Sequence, residues 1–328
     1  MFETREKLKN LMNAPNHQVV FTKNCTEALN LALFGCLSAG DGVITSCFEH
    51  NSVLRPLEFL KSVGVKIEVL DCSLAEFHTK LNDAISPSTK LVVVTGMSNV
   101  TGESPNLVKV GEVCKNHNVL LLVDGAQSTG HMDIDLEKMN IDMYSFAGHK
   151  GLCSITGIGG LFLKDNIRLK PLLYGGTGTE SNNLIQPKDL PEGLEAGTLP
   201  TIPIASLNAG VDFVSKNKTH LLEKEEELSR YMFKRLVSVK NIIMYSSAAS
   251  KNVFSFNIIG IDSMLVADIL NEKYGVCVRA GLHCAPLVHK KLGSLQIGAV
   301  RASIDFANTK QEIDYFVRAL NEIAANLC

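Results

Sequence analysis

At 328 residues the chain is too long for one small hydrophobic core and suits two domains. Its 45% hydrophobic and 20% charged residues are those of an ordinary globular protein, and a formal net charge of -2 provides no basic field for a nucleic-acid partner. No apolar run approaches the roughly 18 residues a membrane span needs, and the charged start Met1–Lys7 lacks the apolar core of a signal peptide. Nine cysteines without a CxxC pair argue against a disulfide framework and a cysteine-rich zinc site, so a reducing, cytoplasmic setting is expected.

Taken in chain order, short β-branched runs alternate with amphipathic segments. Val19–Phe21 reads as a strand and Thr26–Leu33 as a helix. Strands follow at 42–45, 65–69 and 91–95. A helix around Val108–Lys115 then leads to a strand at Val119–Asp124, and Ile141–Phe146 is a further apolar run. Continuous apolar strands between helices predict a mostly parallel sheet buried on both faces, the α/β class. Past Phe213 the texture changes: a charged helix at 221–236, strands at 253–256 and 276–278, and a helix at 264–270 between those strands. A capping-box pattern, Thr309–Glu312, opens a final helix. This predicts a large domain over 1–212 and a smaller α+β domain over 213–328. The Gly/Pro/Asn-rich stretch Gly175–Pro200 is too long for a simple connection and reads as a functional loop.

Two segments carry most of the chemistry. Asp124 ends an apolar strand, where ligands collect in open α/β sheets, and Lys150 follows another apolar run with Gly148 nearby to permit a tight turn. A lysine that forms an imine with an aldehyde, beside an acid that keeps a pyridine nitrogen protonated, suits pyridoxal 5'-phosphate (PLP). Singly, each also fits a surface lysine and a structural aspartate. Asn24–Asn30 opens a helix whose first amides would hold a phosphate, although taken alone a plain N-cap is the safer reading. His50 precedes another helix and is a candidate to stack on an aromatic ring, while Ser98–Gly102 follows a strand at the same edge.

The order Thr26-Glu27-Ala28, Glu49-His50, Ser98–Gly102, Asp124–Gln127, Gly148-His149-Lys150, Glu195–Thr198 and Arg279–Ala285 resembles the class V aminotransferases of fold type I. Within them it is similar to the cysteine desulfurase and selenocysteine lyase branch, from about Phe21 to about Thr309. That resemblance implies Lys150 as the Schiff-base lysine and Asp124 as the pyridinium partner. Gln127 would bond the ring oxygen, and His50 would stack on the ring and relay protons. Cys25, Thr26 and His149 would lie at the cofactor and its phosphate, and Thr198 would reach the phosphate site of the other subunit of a homodimer. Asn99 and Arg301 would hold the carboxylate of an amino-acid substrate, with Arg279 near a mobile loop. Cys284, flanked by His283 and following Arg279, is the cysteine whose setting favours a nucleophilic thiolate. In a desulfurase it would accept the sulfur of L-cysteine as a persulfide, release alanine, and pass the sulfur to an acceptor protein.

Three departures from the family pattern stand out. The usual N-terminal segment with its Asp-Asn/Ser-Ala-Ala motif is expected to be missing. Ala147 replaces a Ser or Thr of the phosphate site, and Ser154-Ile155 replaces a Gly-Pro. A related aminotransferase, a selenocysteine or other amino-acid lyase, and a catalytically silent member remain as alternatives. Gly157-Ile158-Gly159-Gly160 lacks the G-x-G-x-x-G spacing of a dinucleotide site.

Overall fold

The computed structural model describes residues 1–327. The chain forms two compact units, the first made of Met1–Met97 and Pro105–Lys218, the second of Ser98–Ser104 and Thr219–Cys328.

In the first unit α1 (Phe2–Leu11) leads to β1 (His17–Thr22), α2 (Cys25–Cys36), β2 (Gly42–Ser46), α3 (Asn51–Ser62) and β3 (Lys66–Leu70). Then come α4 (Phe77–Ala84), β4 (Thr89–Thr95), α5 (Leu107–Asn116), β5 (Leu120–Asp124), β6 (Met143–Ala147) and β7 (Gly159–Lys164). The seven strands form one sheet in the order β1-β7-β6-β5-β4-β2-β3. From β6 to β3 all pairs are parallel; β7 runs antiparallel to β6, and β1 antiparallel to β7. Two reversals return β1 to the direction of the parallel core, so the start of α2 lies at the same sheet edge as the ends of β2, β4, β5 and β6. β3 and β4 flank β2 on opposite sides, which makes the end of β2 a topological switch point, where ligands bind in open α/β sheets.

Strand periodicity divides the core. Val92, Val94, Leu121 and Val123 point into one hydrophobic layer with Phe146 and Leu207, while Leu91, Val93 and Leu122 point into the other with Leu29, Leu33, Val53 and Leu57. Each such residue, fully buried, contributes about 1.5–3 kcal/mol. The edge strand β3 is largely exposed. β7, unread in the sequence, begins on Gly159-Gly160. At Gly160 a Cβ would strike the Phe146 ring at 2.6 Å, and at Gly159 the Asn24 backbone at 2.7 Å, so these glycines serve close packing inside a strand.

The second unit has a four-stranded antiparallel sheet ordered β10-β11-β9-β8, from β8 (Ile242–Met244), β9 (Val253–Ile258), β10 (Arg279–Gly281) and β11 (Ala299–Ser303). Phe254, Phe256 and Val300 pack with Val266 and Leu270 of the helix Ser263–Tyr274 and with Ile313, Phe316 and Leu320 of the helix Lys310–Leu327. The expected capping box is present: Thr309 N donates to Glu312 Oε2 at 2.8 Å, and Glu312 N to Thr309 Oγ1 at 3.2 Å. The short helix Pro286–Lys291 follows β10.

One expectation changes. Val276–Val278 is not a strand: Gly275 ends the preceding helix in the left-handed region at φ 63°, Val276 N bonds Leu270 O, and the strand begins only at Arg279. A boundary at 212/213 was expected from composition, whereas the units divide at 218/219, inside one continuous helix, Thr201–Leu236. The segment Ser98–Ser104 also belongs to the second unit, because its backbone carbonyls are bonded there: Ser255 Oγ donates to Val100 O at 2.6 Å and Ser250 Oγ to Thr101 O at 2.5 Å.

Candidate active site

Each unit holds a cluster of the residues singled out in the sequence. In the first unit they stand on the strand ends described above. Asp124 closes β5 and is buried; its Oδ1 accepts from Ala126 N at 3.0 Å and from the Cys25 thiol at 3.4 Å. Among the described hydrogen bonds Asp124 uses Oδ1 alone, which leaves Oδ2 for a ligand. Ser145 Oγ also lies 3.2 Å from Cys25 Sγ, and burial, reinforced by the Asp124 charge, pushes the Cys25 thiol well up. Cys25 is therefore an inert thiol that buttresses Asp124, and the ammonium of Lys150 is close enough to act on it electrostatically.

Lys150 follows β6 in a tight turn closed by Cys153 N to Lys150 O at 2.9 Å and Ser154 N to Gly148 O at 3.0 Å. Gly148 was expected to supply backbone freedom; its actual constraint is space, since a Cβ would meet Ile158 Cγ2 at 2.8 Å. Lys150 is half-buried and His149 exposed; partial burial, helped by the Lys150 charge, holds the His149 imidazole below its usual range. Ala147 is buried, and Gln127 is half-buried in the turn after β5.

At α2, Asn24 is the N-cap and its side chain takes the Glu27 amide at 2.9 Å. The amides of Cys25 and Thr26 have no partner among the described hydrogen bonds, and Thr26 is exposed, an arrangement suited to a phosphate. His50 caps α3: its Nδ1 accepts from Ser52 N at 3.0 Å, with Ser52 Oγ at 2.8 Å, so the neutral ring carries its hydrogen on Nε2. Thr198 is exposed, following Glu195, which is tied to Arg5 at 2.6 Å and accepts from Phe21 N at 2.6 Å.

Glu49 is a site residue whose chemistry the sequence does not disclose. It is fully buried after β2, its Oε1 accepts from Ser46 Oγ at 2.6 Å and Thr95 N at 3.0 Å, and Oε2 has no partner among the described residues. Burial, with the Asp124 charge adding to it, raises its pKa to about 8, so near neutrality it is a carboxylic acid. The motif Glu49-His50 marked the position; only packing reveals the burial.

In the second unit, Arg301 on β11 lies opposite Arg279 on β10. Arg301 donates to Asn99 O at 3.0 Å, its buried Nε has no partner among the described residues, and burial next to Arg279 lowers its pKa. Such an orphaned donor on a guanidinium fits a carboxylate ligand. Asn99 in turn donates from Nδ2 to His283 O at 2.8 Å. Cys284 is exposed, with a terminal guanidinium nitrogen of Arg279 4.0 Å from its Sγ. His283 and Cys284 are both left-handed, at φ 50° and 56°, a conformation costing about 1–2 kcal/mol for each non-glycine residue.

The buried carboxylate, amine, imidazole and free helix amides of the first unit together form a donor set for an anionic pyridine aldehyde. Among the described residues there is no group of acidic, histidine and cysteine side chains that could hold a metal ion.

Comparison with known proteins bears on this chemistry. The family model for class-V aminotransferases matches residues 1–316. A probable cysteine desulfurase of Methanothermobacter thermautotrophicus is 34% identical over 335 residues, covering 98% of this chain and 83% of that protein. A cysteine desulfurase of Haloferax volcanii is 32% identical, covering 93% of this chain and 74% of its own length. Among solved structures, the apo cysteine desulfurase of Thermococcus onnurineus NA1 superposes with a TM-score of 0.91 at 31% identity, over 99% of this chain and 84% of the other. The S-sulfonic acid form of the cysteine desulfurase CsdA of Escherichia coli gives 0.90 at 27% identity, over 100% and 84%.

Proposed function

The chain belongs to the class-V aminotransferase family, and on that premise we propose that it is a PLP-dependent cysteine desulfurase acting on L-cysteine. The observation that carries the choice of reaction is the exposed Cys284 thiol beside Arg279, in the same unit as Arg301, whose buried Nε has no partner among the described residues.

In this reading Lys150 would hold the cofactor aldehyde and Asp124 would hold the pyridine nitrogen. His50 would stack on the ring, Gln127 would bond the ring oxygen, and the amides of Cys25 and Thr26, with His149, would hold the phosphate. Ala147 contributes no hydroxyl, a loss of about 0.5–1.5 kcal/mol of binding. When bound, PLP supplies an electron sink for bonds at the substrate carbon. Buried Asp124 would favour a protonated pyridine nitrogen, because a carboxylate away from water favours a partnered cation. Arg301 and Asn99 orient the substrate carboxylate. Cys284 then takes the substrate sulfur: its S–S bond forms as the substrate C–S bond breaks, and the carbon gains a proton. The products are alanine and a Cys284 persulfide, with no outside oxidant.

A sulfur-acceptor protein and a second copy of the chain complete the proposal. Exposed Thr198, and the exposed Leu184 and Ile185 in the same loop region, support a partner subunit there. Sedimentation that finds only monomer with PLP fully bound would count against the dimer.

The reaction is tested by incubating the PLP-loaded protein with L-cysteine. Alanine release together with one extra sulfur on Cys284, read by peptide mass spectrometry, is expected. Alanine without sulfur on Cys284 would make it a lyase that does not use this thiol, and amino transfer to a 2-oxo acid would make it an aminotransferase.

A further inference from the structure

Behind Cys284 lies a chain of buried side chains that the proposed reaction does not use. His283 is 3% exposed, and His289 and Ser294 are 0% exposed. The two imidazoles lie edge to edge, with centroids 5.4 Å apart and planes inclined at 27°. His283 Nε2 lies 3.3 Å from Arg279 O, His283 Nδ1 3.3 Å from His289 Nε2, and His289 Nδ1 2.8 Å from Ser294 Oγ.

The hydrogens in this chain follow from valence. A carbonyl only accepts, so His283 Nε2 carries the hydrogen. A neutral ring has only one, so His283 Nδ1 accepts and His289 Nε2 donates. His289 Nδ1 must then accept from the Ser294 hydroxyl. The direction Ser294 to His289 to His283 to Arg279 O satisfies every nitrogen with both rings neutral. Burial favours that state, holding His289 below its usual range and His283, also beside the Arg301 charge, down at about 3.

This chain ends on the backbone that bears the nucleophile. Gly281, His283 and Cys284 all have positive φ, at 106°, 50° and 56°. The last two are residues that leave this region unless held. The holds are the Arg279 carbonyl at one end, Asn99 Nδ2 on His283 O at 2.8 Å, and Ala285 N on Leu282 O at 2.9 Å. The same carbonyl belongs to the residue whose guanidinium meets Cys284 Sγ.

We infer that His289 and Ser294 are positioning residues: through His283 they fix the left-handed turn that sets the Cys284 thiol beside Arg279. The inference deepens the desulfurase reading and rests on it for its kinetic consequence, while the relay itself can be tested without turnover.

The experiment measures iodoacetamide alkylation of Cys284 in the whole protein by peptide mass spectrometry, with Cys153 and Cys277, also exposed, as internal references. Ser294→Ala, which keeps the backbone bonds of Ser294, and His289→Leu should slow Cys284 alkylation about threefold or more while the reference rates hold. kcat for alanine release should fall about 10-fold or more, with KM within about twofold. His289→Gln, whose amide can donate where Nε2–H did, should recover most of the loss. Selective ¹⁵N-histidine NMR should find both rings as neutral Nε2–H tautomers at pH 7. Parent-like Cys284 alkylation in Ser294→Ala, slowing shared equally by the reference cysteines, or an Nδ1–H tautomer at His283 would each overturn the relay. If the parent protein makes no alanine, the desulfurase reading fails, yet alkylation and tautomers still decide this one. Should His289→Leu not fold, Ser294→Ala and His289→Gln carry the decision.

Discussion

The two clusters are built by different means. In the first unit Asp124, Lys150, His50 and the α2 amides stand at the ends of regular elements, and their placement follows from strand order and direction. In the second, Cys284 sits on a non-repetitive turn of left-handed residues, held by bonds from side chains to backbone. A parallel sheet buried on both faces positions groups by its regular hydrogen bonding and tolerates side-chain change around them. A turn that depends on a few side chains has no such reserve. The cluster at the strand ends should therefore be robust to substitution around it, and the turn bearing Cys284 sensitive.

Substitutions can break or sharpen that contrast, the largest effect being expected at Lys150. Lys150→Ala should abolish the borohydride-fixed PLP adduct and lower turnover on the order of 10³-fold or more, with little change in melting temperature. Mass spectrometry that finds the adduct on another lysine would sink the assignment. Next, Cys284→Ser should leave PLP absorbance and the Lys150 adduct intact while alanine formation falls about 10²- to 10⁴-fold, in an assay with L-cysteine. Parent-rate alanine from this variant would remove the thiol from the reaction. A smaller loss, about 10²-fold, is expected for Asp124→Asn. Its amide oxygen can still accept from Ala126 N and Cys25, so the fold survives, but it no longer favours a charged pyridine nitrogen. Unchanged kcat would refute that role.

The smallest effect concerns stability. Glu49 is raised from 4.5 to about 8 in the fold, so between those values the folded chain retains a proton that the unfolded chain releases. Its contribution is complete below about pH 4.5 and is lost as pH rises toward 8, with a ceiling of about 1.4 kcal/mol per pH unit. Glu49→Gln should flatten the decline of urea-denaturation stability over that window; equal slopes for the two proteins would mean that Glu49 is ionised throughout.

Much of the first unit was legible because its apolar runs leave few alternatives: 91–95 and 119–124 fall on β4 and β5, whose ends carry the candidate site residues. β7 was not, because Gly159 and Gly160 look like turn formers until Phe146 and Asn24 are seen pressing on them. Composition puts a boundary at 212/213 while the compact units divide at 218/219, because a helix spanning 201–236 crosses the change of composition without a break. Cys284 could be singled out from its neighbours in sequence, but not the partnership of His283 with His289 and Ser294. Those residues carry no spacing signal, and only the fold brings their ring nitrogens and hydroxyl into line.

The segment Ser98–Ser104 has a consequence for how this protein can be inherited. Its carbonyls receive Ser250, Ser255 and Lys251, its Asn99 carries both Arg301 and His283, and at Gly102 a Cβ would run into Val253 O at 2.3 Å. The C-terminal stretch is thus not a transferable module. A recombination joining residues 219–328 to a foreign first half would import Cys284 without the seven residues that complete its surroundings. Exchange between relatives should then succeed only where 98–104 and the C-terminal stretch come from the same parent, and a chimera library scored for soluble yield would expose that linkage as paired inheritance of two distant pieces of one gene.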